Sequence, residues 1–139
     1  MNRLTLLLAL LVAPAALADG EESVEQAREE LALQKKAQEL QDACGVVPTT
    51  SIAWKSFPSD SGKYSISGYC GAALDDLRQH CDGKSKKKVI QQSLKGLTCT
   101  YGGKDKRGLT VAGGHVTFTL DFEAANNDAF ARKELLRSF

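Results

Sequence analysis

The chain has 139 residues, 42% of them hydrophobic and 25% charged, with 18 basic residues against 17 acidic ones. That length suits one domain with a modest core. The near-balance of charge excludes the strongly basic composition of a nucleic-acid coat and points to no particular partner.

At the N-terminus, Arg3, the apolar run from Leu4 to Val12 and the small residues Ala16-Leu17-Ala18 stand in the order of a bacterial secretory signal peptide. The run is shorter than the roughly 20 apolar residues that span a bilayer, and Pro14 follows it. The expectation is a signal peptide over 1–18, cleavage before Asp19, and an exported protein, periplasmic or secreted, without a transmembrane segment. The cysteines Cys44, Cys70, Cys81 and Cys99 are even in number and include no C-x-x-C pair. In an exported chain they read as two disulfides rather than as a zinc or dithiol site, and no metal or cofactor is expected.

Residues 19–43 form an acidic helical arm in which eight acids stand against Arg28, Lys35 and Lys36. Helix formers run from Glu21 to Ala43, but the apolar stripe is thin and shifts register between Leu31 and Leu33, so only the second half is expected to lie on the domain. The domain itself is placed at 44–139. Its first stretch, 45–63, is irregular and holds an aromatic island, with Trp54, Phe57 and Tyr64 as a candidate ledge for a ligand.

A clear helix follows, capped by Ser67, with Cys70, Leu74, Leu77 and Cys81 on one face. A second begins at Ser85, turning Val89, Ile90 and Leu94 inward before Gly96. Its first turn carries Lys86, Lys87 and Lys88, against the helix dipole. With Lys84, Lys95, Lys104, Lys106 and Arg107 these lysines make a candidate anion-binding patch. Three alternating runs then end at Tyr101, Val111 and Phe122, the last two joined by Gly113-Gly114. They read as a three-stranded antiparallel meander, apolar on one face and threonine-rich on the other. A closing helix from Asn126 or Asn127 carries Ala131, Leu135 and Phe139 onto the apolar face.

The sum is an α+β domain of two layers: an N-terminal helix, two central helices, the meander and a C-terminal helix, stapled by two disulfides. If Cys70 and Cys81 share a helix they lie about 16.5 Å apart along its axis, beyond the roughly 7 Å that a disulfide allows between Cα atoms. Two pairings remain, and the short turn at 82–84, expected to send the lysine-rich helix back antiparallel to the level of Cys70, favours Cys70–Cys99 with Cys44–Cys81 over Cys44–Cys70 with Cys81–Cys99.

No motif specifies a reaction. His80 and His115 read as surface histidines; His115 and Asp121 lie about 20 Å apart along one strand; Asp75 and Asp76 point in different directions. The expected function is therefore a small non-enzymatic binding or accessory protein. Its partner would be a protein or an anionic cell-envelope polymer, not nucleic acid, met through the basic segment, the aromatic island or the threonine face. The alternative is a small exported hydrolase whose site has no sequence signature.

Overall fold

The computed structural model describes residues 16–139, with side chains from residue 23 onward. The expected signal peptide therefore lies almost wholly outside the described residues. Helix α1 spans Ala16–Cys44, strand β1 Thr49–Ile52, α2 Ile66–His80 and α3 Lys84–Ser93; β2 (Gly96–Tyr101), β3 (Gly108–Ala112), β4 (His115–Leu120) and α4 (Asn127–Ser138) follow. Short 3-10 turns at Trp54–Ser56 and Ser61–Lys63 shape the segment between β1 and α2. No helix among the described residues is long and apolar enough to cross a membrane.

The α+β class and both disulfides are as expected, but the sheet is not an antiparallel meander. It has four strands in the order β1-β2-β4-β3. The pairs β1–β2 and β2–β4 are parallel; only β3–β4 is antiparallel. Two physical reasons account for the difference. Strand β4 is the most apolar, its Val116, Phe118 and Leu120 fully enclosed, and a strand so hydrophobic gains most at the centre of a sheet. It therefore inserts between β2 and β3, whose connection over 102–107 is long enough to step across it. Strand β1, Thr-Thr-Ser-Ile, has one buried apolar residue and no alternation strong enough to mark it as a strand. The β3–β4 turn is as expected: Gly113 and Gly114 both have positive φ, 57° and 80°, which suits a two-residue hairpin.

Inward-facing residues of all four strands meet the helices. On the other face Ser51, Thr98, Thr117 and Thr110 stand in one row across the sheet, with Thr100 and Thr119 in the next, half-buried or exposed. The molecule thus has two layers, its helices on one side and a hydroxyl-rich open sheet face on the other.

Three helices run in the same direction. Contacts between α1 and α2 advance together along both: Glu29 with Ser67, Lys36 with Asp75, Glu39 with Arg78 and Cys44 with Cys81. Those between α2 and the chain around α4 do the same, Tyr69 with Phe122 and then Asp76 with Arg132. From the level of Cys70, α2 descends to the level at which the strands begin, so it is antiparallel to β1 and β2. Leu33, Ala37, Leu40 and Cys44 carry α1 into the core, whereas Val24 and Leu31 in its first half are exposed.

Several local details differ from the sequence-based expectation. The cap of α2 is Ser65, whose hydroxyl accepts from the Gly68 amide at 3.1 Å; Ser67 is the second residue of the helix and gives its amide to Glu29. In α3, Ile90 and Leu94 are buried but Val89 faces solvent, because the helix begins at Lys84 with Gly83 as its cap and its inner stripe is narrow. Gly96 belongs to β2 rather than to a helix end. The pairs Cys44–Cys81 and Cys70–Cys99 are the expected ones, with Cα separations of 5.3 and 6.0 Å.

Candidate functional site

The chain gathers its aromatic side chains where the parallel strands end. Trp54 and Phe57 follow β1, Tyr101 closes β2, Phe122 lies just past β4, and Tyr64 and Tyr69 flank the start of α2. All six are half-buried. Phe122 is the hub, stacked on Tyr64 with centroids 4.0 Å apart and on Tyr101 at 5.0 Å, and tilted or edge-on against Phe57 and Tyr69. Trp54 extends the row from Phe57 at 6.0 Å. Offset and edge contacts of this kind add about 0.5–1.5 kcal/mol per pair beyond the area they bury.

Backbone hydrogen bonds hold the row in place. The Ala53 amide donates to the Cys99 carbonyl at 2.8 Å, carrying the β1–β2 ladder one residue beyond the strand. The Tyr101 amide donates to the Ser56 hydroxyl at 2.9 Å, which ties the turn carrying Trp54 to the end of β2.

Between this row and the first half of α1 lies an open groove of about 390 Å³, lined by Glu25, Gln26, Glu29, Trp54, Phe57 and Tyr64 together with Pro58, Ser59, Ser61, Gly62 and Ile66. Two carboxylates of α1, Glu25 and Glu29, line it, and a third, Glu30, lines the neighbouring concavity beside β1 while holding Trp54. Glu29 accepts from the Ser67 amide at 2.6 Å, placing a negative charge at the first turn of α2, where the helix dipole favours one. Glu30 accepts the Trp54 indole N–H at 2.6 Å and so fixes the ring against α1. Glu25 is paired with Arg28 three residues on, both on the surface. At the rim, Lys63 sits over the Tyr64 ring, 5.2 Å from its centroid, and binds Asp60 at 2.8 Å. This ammonium holds the Asp60 carboxyl below its ordinary pKa, chiefly through their hydrogen bond, and Asp60 raises Lys63 in return.

The ledge read from the sequence, Trp54, Phe57 and Tyr64, is thus brought together, and the structure doubles it with Tyr69, Tyr101 and Phe122. The sequence pattern places Tyr101 and Phe122 at strand ends and does not single out Tyr69. Their signal was positional, since Tyr101 and Phe122 each stand at the end of a strand pattern that terminates in an aromatic residue.

The basic segment is divided instead. Lys104 reaches Glu123 at 3.2 Å, and Arg107 donates to the Ala125 carbonyl and the Asn127 side chain while lying over the Phe130 ring; these residues flank the start of α4. Lys106 is in the same loop. Lys86 approaches the Phe139 carbonyl at 3.4 Å, beyond the far end of α4, with Lys84, Lys87 and Lys88 on the same turns of α3. Twelve residues of α4 separate the two groups by about 18 Å. Lys95 stands apart from both, exposed just before β2.

The histidines and aspartates are also redistributed. His80 is not a surface histidine: its side chain is 13% exposed, and Nδ1 lies 2.8 Å from the Asp76 carbonyl and 3.3 Å from its carboxylate. Asp76 is buried and binds Arg132 of α4 at 3.1 Å, while its neighbour Asp75 reaches Lys36 of α1 at 2.6 Å, so the two do point apart. Asp121 does not share the outer sheet face with His115. It turns inward just past β4 and accepts from the Asp105 and Glu123 amides at 2.9 and 3.0 Å, securing the loop after β2. His115 stays on the open face, bonded to Thr98 at 2.8 Å. All four cysteine sulfurs are in disulfides, and no cluster of three or more metal-ligating side chains occurs among the described residues.

In comparisons with known proteins, no family model matches the chain, and no curated protein or solved structure matches it significantly.

Proposed function

We propose that this is a small exported, non-enzymatic binding protein whose ligand lies in the groove between the aromatic row and the first half of α1. The observation that carries the reading is the convergence of six half-buried rings on the carboxyl ends of the parallel strands, beside a concavity of ligand size. In open sheets with parallel strands, ligands sit outside those ends, and binding sites combine an apolar wall with a few fixed polar groups. Here the wall is Trp54, Phe57 and Tyr64, and the polar groups are Glu25, Glu29 and the hydroxyls near 59–61. Binding is favoured over hydrolysis because both histidines lie toward the other end of the molecule, His80 at the last turn of α2 and His115 at the first residue of β4. No imidazole is thus within reach of a ligand in the groove. The basic segment supports an anionic partner less well, because its two groups flank opposite ends of α4.

The test is a fragment screen on the oxidised, isotopically labelled protein, read by backbone amide shifts. Perturbations gathered at 54–64 and 25–30, and abolished by Trp54→Ala, are the expected result. Shifts confined to α3, to the threonine face or to no contiguous region would overturn the assignment.

A further inference from the structure

We infer that the groove takes a compact organic cation, a substituted or quaternary ammonium group, with the carboxylates of α1 at its charge and the rings of Trp54 and Phe57 around its alkyl substituents. The inference rests on the groove being the binding site and adds the chemistry of its occupant.

Charge is the first argument. The lining includes Glu25 and Glu29 and no lysine or arginine. Arg28 does engage Glu25, but both side chains are solvent-exposed and a surface pair of this kind is worth at most about 1 kcal/mol, so an arriving cation can displace it. Glu29 and Glu30 donate no charge away. Their partners, the Ser67 amide and the Trp54 indole N–H, are neutral donors rather than cations.

The aromatic surface is the second. A ring attracts a cation over its face through its quadrupole, most strongly for tryptophan. The indole N–H of Trp54 is given to a carboxylate, a charge-assisted bond that pushes electron density into the ring and deepens that attraction. The site already shows the preference internally: an ammonium beside it, Lys63, lies over an aromatic ring and against a carboxylate. The basic loop at 104–107 contributes no residue to the groove, and its Lys104 and Arg107 are engaged by Glu123, the Ala125 carbonyl and Asn127.

Trp54 is the only tryptophan, so its fluorescence reports the groove directly. Titrate the protein with choline and with 3,3-dimethylbutan-1-ol, which has the same shape with carbon in place of the charged nitrogen. Choline is expected to perturb Trp54 at about two- to fivefold lower concentration than the alcohol, the difference a cation–π contact in an open groove supplies. That advantage should shrink in Glu25→Gln, which leaves the contacts of Glu29 and Glu30 intact, and in 0.5 M salt on the order expected from screening. Equal response to the two compounds would overturn the cationic assignment while leaving the groove as a binding site. A response to neither, with fragments still mapping to 54–64, would overturn it too. Fragments mapping elsewhere would remove the site itself, so the two ideas fail separately. Phosphatidylcholine vesicles compared with free choline show whether the ammonium is presented by a membrane or in solution.

Discussion

Asp76 and Asp121 are the two charged side chains enclosed among the described residues, and the fold handles them differently. Asp121 accepts two backbone amides, a neutral solution that ties down a loop. Asp76 depends on charges from its surroundings: Arg132 holds one oxygen, while the other has no hydrogen bond and only the His80 ring nearby. A buried carboxylate stripped of its cation is costly, although Arg132 is itself half-exposed, which moderates the loss. Arg132→Ala is expected to lower unfolding free energy by about 2 kcal/mol, and Asp76→Ala with Arg132→Ala to cost less than the two single losses added together. Urea unfolding of the four proteins of the cycle measures this; strict additivity would show that the pair does not couple. None of these roles was legible in the sequence. Asp75 and Asp76 could be seen to diverge, but which helix each would meet depends on the parallel arrangement of α1, α2 and α4, and no local pattern encodes that.

The lysine run of α3 looked misplaced as long as only its own helix was considered. In the folded molecule the run lies just past the C-terminal end of α2, and Lys86 extends to the last carbonyl of the α4 end. Parallel helices pool their partial charges, so two negative ends meet here, and cations at such ends contribute about 0.3–1 kcal/mol each at low salt. The lysines oppose one dipole and serve two others. Lys86→Ser should therefore destabilise the protein by about 0.5 kcal/mol at low ionic strength and by much less in 1 M salt, where the screening length falls to about 3 Å. A loss that ignores salt would mean that the side chain acts by packing instead. The helices themselves were legible, α2, α3 and α4 through an apolar stripe and α1 through its unbroken run of helix formers. The strand order was not. Local alternation marks β2, β3 and β4 equally well, and what separates a central strand from its neighbours is the completeness of burial, visible only as the unbroken Val116, Phe118, Leu120 series. β1 escaped notice because its hydroxyl residues look like loop and become a strand only through pairing with β2, 47 residues away in register.

At the scale of the whole molecule, the expected leader and the described fold are compatible. Cleavage before Asp19 would trim three residues from α1 as it stands, well ahead of Leu33, the first buried residue described. Protein recovered outside the cytoplasm is expected to begin at Asp19, to resist alkylation until reduced, and to lose about 3–4 kcal/mol of stability with each disulfide replaced by a pair of alanines. Intact mass before and after reduction checks the first two, and chemical denaturation the third. Met1 retained on the exported chain, or a thiol that reacts without reduction, would count against the assignment. The disulfide pairing was legible in part: a helix running from before Cys70 to Cys81 excludes joining those two, while the choice between the two remaining pairings turned on how the chain returns to the sheet.

That pairing also interleaves. In chain order the cysteines run 44, 70, 81, 99, and the bonds join first with third and second with fourth. Neither loop can close without enclosing a cysteine that belongs to the other, so the first bond formed always traps a partner of the second. A chain emerging reduced, before α2 has formed, meets Cys70 and Cys81 as near neighbours and can join them wrongly. Undoing that bond requires attack by a thiolate through a mixed disulfide, on a scale of seconds to hours. Oxidative refolding of the reduced chain is therefore expected to reach the native pairing faster with a disulfide isomerase than with an oxidant alone, which peptide mapping under non-reducing conditions checks.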